Sequence, residues 1–344
     1  MKNKITKIAI TALAGLLATT AAVAQTDLQW TDASPLPAEV QEIYADVKDD
    51  KIYTIGGLFG DAQNVSDNFL EYDATRDAWT ELSPLPKARH HVAVSIVEDR
   101  LYGIGGFAGG FPGWEAQSTV FAYDFKTEEW TESTPLPEPR GEHTAVVMDG
   151  KIYVVGGRFK GTSDSANFND HFDTASLLVF DPLTEVWSPA PDAPTARNSH
   201  ATAVINGKKM YVVGGRQFIE QENGEYANVN VASLEVYDPE AENWETLAPL
   251  PQAAGGITAT AVDGKLYVFG GEQWVPEQAV IAEAWVYDPA LDRWTSVPEM
   301  PTPRHGMAAG AIGDQIYVIG GATKTGAGAV NTNETLLVRR SDQR

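Results

Sequence analysis

Arginine is the residue whose placement in this sequence could do the most chemistry. Its planar guanidinium stays charged at any ordinary pH and grips carboxylate, sulfate or phosphate through two hydrogen bonds at once. Of the chain's twelve arginines, Arg89, Arg140, Arg197 and Arg304 recur at one register, just ahead of a run of small residues, where Val40 and Ala254 stand in the other two cases. Five of the six histidines, His90, His91, His143, His200 and His305, follow those arginines within three residues. A second register, directly behind a glycine pair, holds Leu58, Phe107, Arg158, Arg216, Glu272 and Ala322. Together the two registers offer six arginines as candidate ligand-binding residues: Arg89, Arg140, Arg158, Arg197, Arg216 and Arg304. The competing reading is that each arginine of the first register pairs with a carboxylate or caps a carbonyl inside its own repeat.

Aromatic residues crowd the loops behind the glycine pairs. Phe107, Phe111 and Trp114 share one loop, Phe159, Phe168 and Phe172 the next, Phe218 and Tyr226 a third, and Trp274 a fourth. An aromatic face beside a guanidinium suits an anionic sugar, whose apolar ring face stacks while its polar groups are oriented. Trp114 and Trp274 are the strongest ligand-binding candidates among these, because neither belongs to the repeated tryptophans described below; the alternative is loops packing on themselves. Asp164, Asp170, His171 and Asp173 could approach a hard cation, but their spacing follows no calcium-loop pattern. An acidic loop is the simpler reading, and neither a metal nor a cofactor is expected.

A repeat must position these residues. The chain says nearly the same thing six times: KIYTIGG at 51, RLYGIGG at 100, KIYVVGG at 151, KMYVVGG at 209, KLYVFGG at 265 and QIYVIGG at 315. The first glycines of the pairs stand at 56, 105, 156, 214, 270 and 320, a period near 50 that marks an array of small β-sheets arranged as a propeller. Within a repeat, a small-residue strand such as Thr144 to Met148 turns at Asp149-Gly150 into the apolar strand, since Asp-Gly accepts the positive φ of a tight hairpin. A third strand ends in aromatic-Asp, as in Tyr72-Asp73, Tyr123-Asp124, Phe180-Asp181, Tyr237-Asp238 and Tyr287-Asp288. Six residues after each Asp comes a tryptophan: Trp79, Trp130, Trp187, Trp244 and Trp294. That makes four antiparallel strands per repeat. The last repeat lacks its tryptophan, while Trp30 precedes the first complete repeat, so the strand around Leu28 to Trp30 is expected to be the outer strand of the sixth blade and to close the ring.

The glycine pairs, the aromatic-Asp sites and the tryptophans resemble those of kelch-repeat β-propellers over Leu28 to about Arg339. The resemblance implies an all-β fold: a six-bladed kelch-type propeller, four antiparallel strands per blade, closed by the N-terminal strand in the last blade. Function follows the site and not the fold, and two classes stay open. One is a binding protein that takes a glycan or protein ligand at one mouth of the channel, where the two registers are expected to meet because the innermost strand begins at the end where the second strand leaves. The other is an enzyme: some exported kelch propellers resemble the sialic-acid mutarotases, and Glu272 directly after a glycine is similar to the Gly-Glu those enzymes carry. That resemblance implies Glu272 as catalytic acid or base and arginines for the sugar carboxylate. A copper radical oxidase, which shares the kelch fold, needs a cysteine, and the chain has none.

The absence of cysteine also removes disulfides and zinc–thiolate sites. A formal charge of −22 repels nucleic acid and anionic membranes. Lys2, Lys4 and Lys7, the apolar run Ile8 to Val23 and Ala22-Val23-Ala24 read as a cleavable leader. Residues 1–24 are therefore expected to direct export to the periplasm or outside the cell, residues 25–344 to form one propeller domain, and no segment to insert in a membrane. Oligomeric state is left open.

Overall fold

The computed structural model describes residues 28–338, apart from 61–63, 161–167, 222–223 and the side chain of residue 169. The leader and Asp164 lie outside the described residues. Six four-stranded antiparallel sheets surround an axis. In blade 3 the strands run Thr144–Met148, Lys151–Val155, Leu177–Asp181 and Val186–Ala190 from the axis outward. Ile152 to Val155 are all buried, because this second strand has a neighbouring blade against each face, whereas the outermost strand is largely exposed. The sixth blade is built from Ala308–Ile312, Gln315–Ile319, Asn333–Leu337 and, outermost, Gln29–Asp32, with Trp30 opposite Leu336. The two ends of the chain thus meet in one sheet, as the sequence implied.

The repeated residues have one physical task each. Every aromatic-Asp carboxylate bonds the amides of its own turn, as Asp124 does with Lys126 and Thr127. Every repeat tryptophan donates its indole N–H to the exit segment of the preceding blade: Trp30 to Pro298, Trp79 to Ser34, Trp130 to Ser83, Trp187 to Thr134, Trp244 to Pro191 and Trp294 to Ala248. The glycine pair lets neighbouring blades touch backbone to backbone. The second glycine's N–H meets the carbonyl leading into the next blade at 2.8 Å in all six cases, from Gly57 to Arg89 around to Gly321 to Val40. At Gly105, φ is +59° and a Cβ would stand 2.5 Å from the Arg140 carbonyl oxygen, so only glycine fits.

Trp187 also packs on Phe180, with ring centroids 4.8 Å apart. Trp187→Ala is expected to cost about 2–4 kcal/mol, the low side of a large-to-small core change because the ring is half-buried. Urea unfolding measures this, and binding per folded molecule should be unchanged. An unaltered unfolding curve would show that the ring is no wedge.

Behind each glycine pair the chain forms a second, two-stranded hairpin on the same end of its blade. These hairpins crown one face of the propeller. The first residue of each lies beside the segment leading into its own blade: Leu58 by Gln41, Phe107 by His90, Arg158 by Gly141, Arg216 by Asn198, Glu272 by Gly255 and Ala322 by His305. The two sequence registers therefore do converge at one end of the channel.

Candidate functional site

The four arginines of the first register are not part of an open mouth. Each is at most 1% exposed and is spent inside its own blade. Arg89 donates to the carbonyls of Gly105 and Thr119, at 3.1 and 3.0 Å, and lies over the Phe121 ring. Arg140 donates to the Gly156 and Ser176 carbonyls and to the Ser176 hydroxyl. Arg197 reaches Gly214, Ser233 and Glu235, and Arg304 reaches Gly320, Thr332 and Glu334. The reason is geometric: the glycine pair breaks the ladder, its first carbonyl needs a donor away from water, and a guanidinium supplies it. The expectation that all six arginines face a ligand is corrected accordingly; Arg158 and Arg216 alone point to the axis.

At the axis, six residues, each two positions after the first register, adopt a left-handed backbone: Glu42, His91, Glu142, Ser199, Gly256 and Gly306, with φ between 48° and 65°. They hydrogen-bond to one another around the channel, Glu42 N–H to Gly306, Gly306 to Gly256, Gly256 to Ser199, Ser199 to Glu142, and His91 to Glu42. The void at this level, about 10 Å³, is no larger than one water needs. Below it the channel widens between Ala45, Val94, Ala145, Thr202, Ala259 and Ala309.

Side chains rise from this constriction. Glu42 Oε2 meets His91 Nε2 at 2.8 Å, and His91 Nε2 stands 3.8 Å from Glu142 Oε1. Glu142 Oε1 is 3.8 Å from Arg216 Nη2, and Arg216 Nη1 donates to Glu272 Oε1 at 2.5 Å. Glu272 Oε2 is 3.4 Å from His305 Nε2, whose Nδ1 lies 3.5 Å from Glu42 Oε1. Arg158 flanks the cluster, 3.7 Å from Glu142 and 3.9 Å from Asp173. Burial alone would lower the pKa of both histidines; Glu42 outweighs it at His91, and Glu272 with Glu42 outweighs it at His305, so both are raised above the usual imidazole value. Burial would raise Glu42, but His91 and His305 hold it well below the usual carboxylate range.

Glu272 is a hub of this cluster. Arg216, the Trp274 indole N–H at 3.0 Å and the Gly326 amide at 2.9 Å all donate to its carboxylate, which is 2% exposed. Its oxygens are taken up, which leaves little room for an acid/base role. Trp274 is half-buried and lies over Gly326. Trp114 is buried among Leu58, Phe107 and Ala116, with the His90 ring 4.4 Å away, so it is crown core and not an open stacking platform. His171 accepts the Ala116 amide, while Asp173 accepts from Asn198 and Phe218. Among the described residues no three His, Asp or Glu side chains are grouped to hold a metal ion.

Sequence reasoning missed Glu42 and Glu142. Counting two residues past the first register shows them: Gly256 and Gly306 reveal the left-handed position, and chargeable side chains at the same register in blades 1 to 3 are then out of place.

Six blades of this pattern, each carrying a crown hairpin at the same end, define a repeat β-propeller. The chain belongs to the kelch-repeat family: the KLHDC2/KLHL20/DRC7 Kelch-repeats domain model matches residues 43–271 and 166–337. It is 29% identical over 169 residues to human Kelch repeat and BTB domain-containing protein 12, covering 48% of this chain and 27% of that protein. It is 26% identical over 247 residues to Kelch-like protein terF of Aspergillus terreus, covering 71% of this chain and 41% of that one. The chain thus spans less than half the length of these curated relatives. The solved structure of YjhT superposes with a TM-score of 0.73 at 22% identity over 90% of this chain and 98% of that one, a likeness of fold.

Proposed function

We propose that this chain is an exported interaction propeller that binds a protein partner on its crowned face. The observation that carries this reading is the distribution of exposed apolar side chains. Among the described residues, six of the ten exposed large apolar side chains, Phe59, Phe111, Phe172, Ile219, Tyr226 and Val275, stand on crown hairpins; the other four, Leu183, Val186, Leu291 and Leu337, are scattered over third and outer strands and the turns between them. An apolar rim around a polar centre is the composition of a recognition surface. The leader-like residues 1–24 support export. An anionic glycan fits less well, because four of the six candidate arginines are spent on carbonyls and the other two face carboxylates.

Peptides selected from a displayed library on the immobilised protein test this. Combining Phe111→Ser with Tyr226→Ser should weaken selected binders at least tenfold, within the range of about 1–3 kcal/mol lost when an aromatic contact is removed. Leu183→Ser with Leu291→Ser, at exposed turns between the third and outer strands, should leave them bound. Binders that ignore the crown changes would defeat the proposal.

One observation favours an enzyme acting on acid sugars: among the described residues Glu142 Oε2 is buried without a hydrogen-bond partner, 3.7 Å from Arg158, with Arg216 3.8 Å from the other carboxylate oxygen. A carboxylate so placed could shuttle a proton at an anomeric hydroxyl. Anomer exchange of N-acetylneuraminate followed by NMR, accelerated by the protein and lost in Glu142→Gln, would favour this second reading.

A further inference from the structure

The axial side chains form a closed circuit with one member from each blade: Glu42 from blade 1, His91 from 2, Glu142 from 3, Arg216 from 4, Glu272 from 5 and His305 from 6. Anion and base alternate without exception around it. Within the circuit, three carboxylates are matched by three cations only if both histidines carry protons; Arg158, beside Glu142 at 3.7 Å, is shared with Asp173 at 3.9 Å. Geometry favours the same state at His305: Nε2 faces the Lys324 carbonyl at 2.9 Å, and Nδ1 lies 3.5 Å from Glu42, an ion-pair distance, so negative oxygens stand on both sides of the ring and a neutral imidazole has one N–H to offer. His91 is likewise set between Glu42 and the Nδ1 of His90.

The circuit is tied to the crown. Glu272 holds the Gly326 amide and the Trp274 indole, and His305 holds the Lys324 carbonyl. The hairpins of blades 5 and 6 therefore rest on it. Glu42 leans over blade 6, where a Cβ on Gly306 would stand 2.7 Å from its carboxyl carbon.

We propose that this six-membered circuit is a proton-dependent clasp: with His91 and His305 protonated it locks the six blades at the axis and seats the crown hairpins of blades 5 and 6, and loss of those protons loosens both. The proposal concerns the protein itself and holds whatever the crowned face binds.

Neutralising both histidines leaves Glu42, Glu142 and Glu272 facing one ring arginine, with Arg158 as the nearest further cation. His91 faces Glu42, Glu142, Arg216, His90 and the Tyr44 ring; His305 faces Glu42, Glu272 and the Lys324 carbonyl. Both histidines are raised, so their contribution is complete below about pH 6.5 and is lost as pH climbs through their folded values. Glu42 is depressed, so its contribution is lost in acid, below about pH 4. Burial leaves His90, His143, His171 and His200 with lowered values, so they are neutral at pH 7 and silent above it. Asp46, raised to about 6 by burial, has finished titrating by about pH 7.5.

The test is thermal unfolding of the full chain from about pH 7.5 to 9.5, together with NMR titration of the histidine C2 protons. The wild type should lose melting temperature across this range, and two histidines should titrate above about 6.5. His305→Gln and Glu42→Gln should melt lower at pH 7.5 with a flattened slope, whereas His171→Gln should keep the wild-type slope. Exchange of the Gly326 amide should rise with pH faster than the intrinsic rate. Should a variant fail to fold, the wild-type titration decides: two histidines above about 6.5 support the clasp, and all six at or below that value overturn it. Unchanged slopes in both ring variants also overturn it.

Discussion

Replacing Arg304 with alanine is expected to remove about 3–5 kcal/mol of stability, the cost of leaving a buried charge without its partner. The guanidinium donates to Glu334 Oε2 at 2.6 Å and to the Gly320 and Thr332 carbonyls at 2.8 and 3.2 Å, and neither charged side chain is more than 3% exposed. Truncation strands the carboxylate and takes the side-chain donor from the Gly320 carbonyl, in the blade that closes the ring, while the Thr332 carbonyl keeps the Gly320 N–H at 2.8 Å. Arg89→Ala makes the instructive comparison. Arg89 has aromatic and carbonyl partners but, among the described residues, no direct carboxylate partner, so its loss should cost about 1–3 kcal/mol, the desolvation of unpaired polar groups. Urea unfolding of the two variants checks the order. An Arg304 variant as stable as wild type, with altered ligand binding, would return this arginine to the ligand set.

Glu272→Ala is expected to be as damaging, again about 3–5 kcal/mol, because Arg216 and His305 lose their shared counter-ion at a site 2% exposed. The crown suffers with it, since the Gly326 amide and the Trp274 indole both donate to this carboxylate. Glu272→Gln keeps the shape but sets an amide N–H₂ among groups that are themselves donors, so it should destabilise as well, by a smaller amount. Calorimetry alongside a binding or turnover assay separates the two accounts of this residue. A structural hub loses stability and function together, in proportion to the folded fraction. A catalytic acid would keep its melting temperature in Glu272→Gln and lose turnover alone.

Sequence alone determined the ring. Six glycine pairs near a period of 50, with aromatic-Asp and tryptophan at fixed offsets, leave one way to bury their apolar faces: four-stranded sheets side by side about an axis. Trp30 standing ahead of the first repeat already implied closure by the N-terminal strand, because an open array would expose a sheet edge. The convergence of the two registers at one end was legible too, since strand polarity fixes where a second strand leaves its sheet. Which way the side chains point was not. Arg140 and Arg158 look equivalent as letters, yet Arg140 turns inward to the Gly156 carbonyl freed by the glycine pair and to Ser176, and Arg158 turns to the axis. That choice depends on which backbone groups lie unpaired within reach, and only the assembled blade sets it. The axial circuit is more remote still. Its members come from six blades, spanning residues 42 to 305, and each holds one sixth of the pattern. No local window contains an alternation that exists only once the chain has closed on itself.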